Sequence, residues 1–182
     1  PIDLFKGEGK SPEFLRINPL GAVPVLEIEP GVHLTEVQAI LQYLADRKPE
    51  AGLMPPPGAG LERYRALAWL SFIATELHRN FYPVFWARTM VSGEEAQKEL
   101  RNFFRERLSG RWDILDRHLA GREHLLDGFS LADAYLYVVL TWASMVKIDL
   151  SPWPNLVRFL ARMEARPSVR KAREAEGLPV PA

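Results

Sequence analysis

The sequence has no cysteine among its 182 residues, which excludes a disulfide, a thiolate metal site and a cysteine nucleophile from within them. Net charge is absent as well: 23 Lys and Arg balance 23 Asp and Glu, so no overall field draws the chain to nucleic acid or to an anionic membrane surface. No apolar run is long enough to cross a bilayer and no secretory leader pattern opens the sequence, so a cytoplasmic location is expected. Three of the four histidines, His33, His118 and His124, show no metal-ligand spacing, so no metal is expected. A phosphate-binding glycine loop, a hydrolase triad, internal repeats and low-complexity segments are missing too. What remains, 47% hydrophobic and 25% charged residues, is the make-up of a folded globular protein of one or two domains.

The front of the chain is organised around NPLGAVPVLEIEPGVHLTE at 18–36. Asn18-Pro19-Leu20-Gly21 is turn chemistry, residues 23–29 read as a strand, Pro30-Gly31 as a hairpin turn and residues 32–34 as a second strand. Thr35 with Gln38 three residues on predicts a capping box, after which Val37, Ile40, Leu41 and Leu44 recur at helical spacing. Before this stretch, residues 1–5 read as the end of a strand, 6–10 as a polar loop, and Ser11-Pro12 as the cap and first residue of a brief helix. Seven prolines and glycines between 48 and 60 disfavour any regular element there: Pro49, Gly52, Pro55, Pro56, Pro57, Gly58 and Gly60. The expected organisation is therefore a domain at 1–48, a linker at 49–60 and a helical domain at 61–182.

Residues 61–90 carry Tyr64, Leu67, Leu70, Ile73 and Leu77 on one broad face, with Pro83 predicted to kink this helix or end its first part. A second long helix is predicted over 94–119, with Gly121 as its C-cap. Ser130 and Asp133 form an N-cap pair behind Phe129 in the position of a hydrophobic staple, and open a helix to about Val146. That helix is apolar nearly all round and should be the buried centre of its domain. Residues 151–154 start another helix and Pro167-Ser168 a short last one.

The turn and hairpin from Asn18, the Leu-Thr-Glu at 34–36, the helical half behind a proline-rich linker and the Ser-x-x-Asp cap at 130–133 together resemble a cytosolic glutathione S-transferase. Within that superfamily, Ala-Thr-Glu-Leu-His at 74–78, Ala-Asp-Ala-Tyr-Leu at 132–136 and Ala-Glu-Gly-Leu at 175–178 look most like the bacterial beta class. The resemblance implies an α+β fold: a thioredoxin-like N-terminal domain, truncated here, followed by an all-α C-terminal helical bundle. It also implies a homodimer with the active site at the domain cleft. Such a first domain begins with a strand-helix-strand unit of roughly 30 residues. The resemblance thus implies that this unit, with the family's nucleophile-activating cysteine, serine or tyrosine, lies N-terminal to Pro1.

The site residues implied by the resemblance follow one by one. The Val23-Pro24 bond is cis in the family, and the residue at the place of Val23 offers its main chain to the cysteinyl part of glutathione, as one strand pairs with another. Glu36, in the first helical turn, takes the γ-glutamyl ammonium while helix amides take the carboxylate. Val37 departs from a family serine whose hydroxyl also binds that carboxylate; losing one such bond costs about 0.5–1.5 kcal/mol. Lys6 is close to the place of a lysine that contacts the glycyl carboxylate. Ser71, Thr75 and His78 fall at i, i+4 and i+7, one stripe of an α-helix. In the resembling enzymes that stripe faces the cleft, with Ser71 and Thr75 toward the γ-glutamyl group and His78 near the sulfur, where it can donate a hydrogen bond or act in catalysis. Each of these residues has a plain alternative as a solvated or packing side chain. Phe81, Tyr82, Phe85 and Trp86 wall an apolar pocket for an electrophile or are core.

Conjugation of the glutathione thiolate to a hydrophobic electrophile is the activity the resemblance implies, with glutathione as co-substrate and no metal. Two other readings stay open at this point: a glutathione-dependent disulfide or peroxide reductase or isomerase on the same fold, and a non-catalytic binding protein.

Overall fold

The structure, a computed structural model, describes residues 2–4 and 6–179. They divide into two compact units, one up to residue 58 and one from residue 59 on.

In the first unit, α1 (Pro12–Ile17) starts as expected: the Ser11 hydroxyl accepts the amide of Phe14 at 3.2 Å, and Pro12 occupies the first turn, where no amide is needed. The turn at Asn18 is held by one buried side chain. Its Nδ2 donates to Ala22 O at 2.7 Å, its Oδ1 accepts the amide of Leu20 at 3.2 Å, and its carbonyl accepts that of Gly21 at 2.8 Å. Strands β1 (Val25–Glu29) and β2 (Val32–Thr35) then pair antiparallel, with Val25 opposite Thr35 and an irregularity between Glu27 and Glu29. Gly31, at φ 77°, takes the tight turn between them, a conformation that side chains disfavour. Helix α2 (Val37–Arg47) packs on both strands and buries Ile40 and Ala45.

Several expectations are corrected here. Pro1 and Phe5 lie outside the described residues, and Ile2, Asp3 and Leu4 form no strand; a 3-10 turn at Glu8–Lys10 follows. The first hairpin strand starts at Val25 rather than Val23, since Pro24 has no amide for the ladder. Thr35 belongs to β2, so the capping box with Gln38 does not form, and Glu36 is the N-cap of α2. The proline-rich segment contains a short 3-10 turn at Pro49–Ala51, which Pro49 can open because it needs no amide bond there.

The second unit is all helical. Helix α3 (Leu61–Phe72) passes into a π-turn (Ile73–His78) and continues as α4 (Arg79–Met90). A single unbroken α-helix up to Pro83 was the expectation. Instead the ladder widens ten residues before that proline, and the non-helical residue, Trp86, comes three after it. Two side chains compete for carbonyls just before and within the π-turn: Thr75 Oγ1 donates to Ser71 O at 2.9 Å, and Asn80 Nδ2 to Glu76 O at 2.5 Å. Helix α5 (Glu94–His118) packs on α4, the π-turn and α7 (Pro154–Glu164), while α6 (Leu131–Met145) packs on the π-turn, α3 and α7. Gly121, at φ 73°, lies two residues past the α5 C-cap, Leu119. Helix α8 (Pro167–Ala175) closes the described fold.

The core of this unit holds Trp112, Phe81, Phe159, Leu70, Leu108 and Leu136, all without exposed surface. Each such side chain contributes roughly 1.5–3 kcal/mol by leaving water. As expected, α6 is its centre, exposing only Val138, Ser144 and Met145 along its length. Phe129, just before that helix, lies under the Arg166 guanidinium, 3.6 Å from the ring centroid. Helix α7 starts at Pro154 with its cap supplied by α5, where Asp116 Oδ1 accepts the amides of Asn155 at 2.7 Å and Leu156 at 3.2 Å.

Candidate functional site

The candidate residues fall in both units, and each group is described within its own. In the first unit, the loop carrying Lys6 is set against the turn that leads to Val23. Gly9 and Gly21 meet back to back, so tightly that a Cβ on either would lie within 2.5 Å of the other's carbonyl oxygen. Sequence reasoning missed this pair; two glycines flanking a short helix were its only signal. Lys6 is exposed and pairs with Asp3 at 3.3 Å. The Val23-Pro24 peptide bond is cis. Val23 is 42% exposed, and among the described residues its amide and carbonyl have no hydrogen-bond partner. Bare main chain of that kind is what an extended peptide pairs with.

Glu36 has the most unusual backbone in this unit: φ 67° and ψ 115° at a residue with a side chain. A conformation so sparsely populated costs on the order of 1–3 kcal/mol, and such outliers cluster at functional sites. Its consequence is local. The first α2 ladder bond runs from Ile40 N to Glu36 O at 3.0 Å, so the amides of Val37, Gln38 and Ala39 precede the ladder, and the Glu36 side chain makes no cap bond to them. The exposed carboxylate thus stands beside a helix start whose amides favour an anion. Half-buried Val37 offers that anion an amide but no hydroxyl.

In the second unit the π-turn separates the expected stripe. A residue turns the chain by less in a π-turn than the roughly 100° of an α-helix, so seven positions no longer return to one face. Ser71 and Thr75 are exposed, whereas His78 is half-buried and turned toward α6. There its Nδ1 lies 2.8 Å from the Tyr135 hydroxyl, and its ring stands edge-on to Trp142 at 4.7 Å and 85°. Sequence reasoning missed Tyr135 and Trp142, although a tyrosine inside an apolar helix needs a partner for its hydroxyl. Of the four aromatic wall candidates, Phe81 is fully buried among Phe85, Trp112 and Trp142 and belongs to the core. Phe85 and Trp86 are half-buried, and Tyr82 is 54% exposed.

The remaining histidines have structural company: His33 is 4.0 Å from Glu27, His118 packs on Trp69 and bonds Leu125 O at 2.9 Å, and His124 is 3.8 Å from Asp133. Among the described residues no group of three or more His, Asp or Glu is arranged to hold a metal ion, and no helix is long and apolar enough to cross a membrane.

Residues 1–46 match the family model "Glutathione S-transferase, N-terminal domain", and residues 72–167 match "Glutathione S-transferase, C-terminal domain". Among curated proteins, Glutathione S-transferase GstA of Escherichia coli O157:H7 is 38% identical over 180 residues, covering 97% of this chain and 85% of that one. Among solved structures, a bacterial beta class glutathione S-transferase from Sphingomonas chungbukensis is 43% identical with a TM-score of 0.81, covering 91% of this chain and 79% of that one. A sphingomonad glutathione S-transferase complexed with glutathione is 41% identical, also with a TM-score of 0.81 and the same coverage. With both halves matched in order, the α+β thioredoxin-like front and the all-helical back, the chain belongs to the glutathione S-transferase family.

Proposed function

We propose that the protein is a glutathione transferase that conjugates the thiolate of glutathione to a hydrophobic electrophile. The observation that carries this reading is Glu36, whose costly backbone holds an exposed carboxylate, with no cap bond, at the entrance of α2. The γ-glutamyl end of glutathione is a zwitterion with the complementary needs: Glu36 takes its ammonium and the first amides of α2 take its carboxylate. Val23 pairs its amide and carbonyl with the cysteinyl part, and Lys6 attracts the glycyl carboxylate. Ser71 and Thr75 contribute hydroxyls toward the γ-glutamyl group.

The chemical task is to keep the thiol ionised, since the thiolate is the nucleophile. His78 supports it with a hydrogen bond to the sulfur, so that the anion is worth more in the site than in water. Attack on an activated aryl halide forms the carbon–sulfur bond, the halide leaves with the bonding pair, and the thiol proton goes to solvent. Half-buried Phe85 and Trp86 supply an apolar wall for the electrophile.

In this reading residues 1–48 bind glutathione, 49–60 link, and 61–182 complete the enzyme, which acts in the cytoplasm as a homodimer. Isothermal titration with glutathione, followed by a conjugation assay with a chloronitrobenzene, tests it. Binding with turnover is expected. Binding without turnover overturns the transferase reading in favour of a binding protein, and no binding overturns both.

A further inference from the structure

We propose that Tyr135 is a positioning residue for His78, fixing the direction and the tautomer with which the imidazole meets the sulfur of glutathione. The inference rests on the reading of His78 given above and adds a second residue to it.

Three observations converge on this imidazole. First, the π-turn (Ile73–His78) turns His78 away from exposed Ser71 and Thr75 and toward α6. Second, Tyr135 is only 6% exposed, so its hydroxyl needs a protein partner, and it stands 2.8 Å from Nδ1. Third, Trp142, two turns along α6 from Tyr135, meets the ring edge-on at 4.7 Å and is itself edge-on to core Phe81 at 5.7 Å. Tyr135 completes the clasp with its own ring, 5.9 Å away at 71°. The aromatic edges set the plane of the imidazole, and the hydrogen bond to Tyr135 distinguishes its two nitrogens. With the phenol donating, Nδ1 accepts and Nε2 carries the proton, and a protonated ring nitrogen is what an anionic sulfur requires. Phenylalanine at this place keeps the packing and removes that distinction.

The same helix provides a control. Tyr137 is equally buried, and its hydroxyl accepts from Arg173 Nη1 at 2.9 Å, on a different neighbour. If Tyr135 were merely one more buried hydroxyl, the two phenylalanine variants would behave alike.

The test is long-range proton–nitrogen NMR of the imidazoles in the full chain, for the wild type, Tyr135→Phe and Tyr137→Phe, with His78→Gln to assign the signal and melting curves to check folding. Steady-state conjugation is measured on the same proteins. In the wild type the two His78 nitrogens should resonate far apart, as in one neutral tautomer. In Tyr135→Phe they should draw together, with kcat down about five-fold, the worth of one hydrogen bond, and KM for glutathione unchanged. Tyr137→Phe should leave both readouts alone. His78 signals unmoved in Tyr135→Phe, or moved equally in Tyr137→Phe, overturn the inference. Should Tyr135→Phe fail to fold, 3-fluorotyrosine incorporation replaces it: the more acidic phenol must shift the His78 nitrogens beyond those of the other histidines, and no such shift overturns the inference. If His78→Gln leaves turnover intact, the role of His78 falls and that of Tyr135 with it. If His78→Gln lowers turnover while Tyr135→Phe changes nothing, Tyr135 alone falls.

Discussion

Ser130 and Asp133 are tied together twice: Oδ2 of the fully buried Asp133 accepts both the amide of Ser130, at 2.8 Å, and its hydroxyl, at 2.9 Å. The other carboxylate oxygen accepts the amide of Leu125 at 2.9 Å, so one side chain caps α6 and pins the loop before it. Removing it leaves three buried donors without an acceptor. Asp133→Ala is therefore expected to cost about 3 kcal/mol, against about 1 kcal/mol for Ser130→Ala. Denaturant unfolding measures both, and equal losses would contradict this account of the cap.

Glu36 sets stability against binding. Glycine adopts φ 67° freely, so Glu36→Gly relieves strain, while its greater unfolded freedom offsets part of the gain. The melting temperature should hold or rise, by up to about 1 kcal/mol of stability. Glutathione affinity should fall, by about ten-fold for the loss of a bond to a charged group. Thermal melts and titration calorimetry read the two effects. A variant that is less stable and binds as well as the parent would invert the assignment.

Val37 leaves the bound carboxylate one hydroxyl short. Val37→Ser should tighten glutathione binding by about 1 kcal/mol, roughly five-fold in Kd. Calorimetry showing unchanged or weaker binding would place the carboxylate elsewhere.

Much of the fold was legible because periodicity and cap chemistry act locally. Ser11, the Pro30-Gly31 turn and the Ser130–Asp133 pair each contain their own reason for the structure they form. The failures came where distant or competing groups decide. The Thr35–Gln38 box satisfied the pattern, yet pairing with Val25 drew Thr35 into the sheet and handed the cap to Glu36. The Ser71–Thr75–His78 stripe assumed 3.6 residues per turn, which the back-bonding of Thr75 and Asn80 accompanies with a wider turn. Tyr135 and Trp142, the neighbours of His78, lie more than fifty residues away in sequence, and no local pattern ties them to it.

An acid-range effect is expected in the loop that follows α6. The Ser151 hydroxyl donates to Asp149 Oδ2 at 2.6 Å and the Ser151 amide to Oδ1 at 2.9 Å. These bonds, the hydroxyl first and the amide second, hold the Asp149 carboxyl below the usual carboxylate range. A carboxylate whose folded pKa is depressed contributes stability above its unfolded pKa and loses it as pH falls through the folded value. Ser151→Ala should move the Asp149 titration up toward the ordinary value, with the amide bond retaining part of the shift. Carbon NMR of the carboxyl group against pH measures this, and an unmoved titration would contradict it.

The central claim, that Glu36 recognises the γ-glutamyl ammonium, is tested most directly by titrating glutathione and its analogue lacking the γ-glutamyl amino group into the wild type and Glu36→Gln. The account predicts that the wild type prefers glutathione about ten-fold or more and that the variant loses most of this preference. The same preference in both proteins would contradict it.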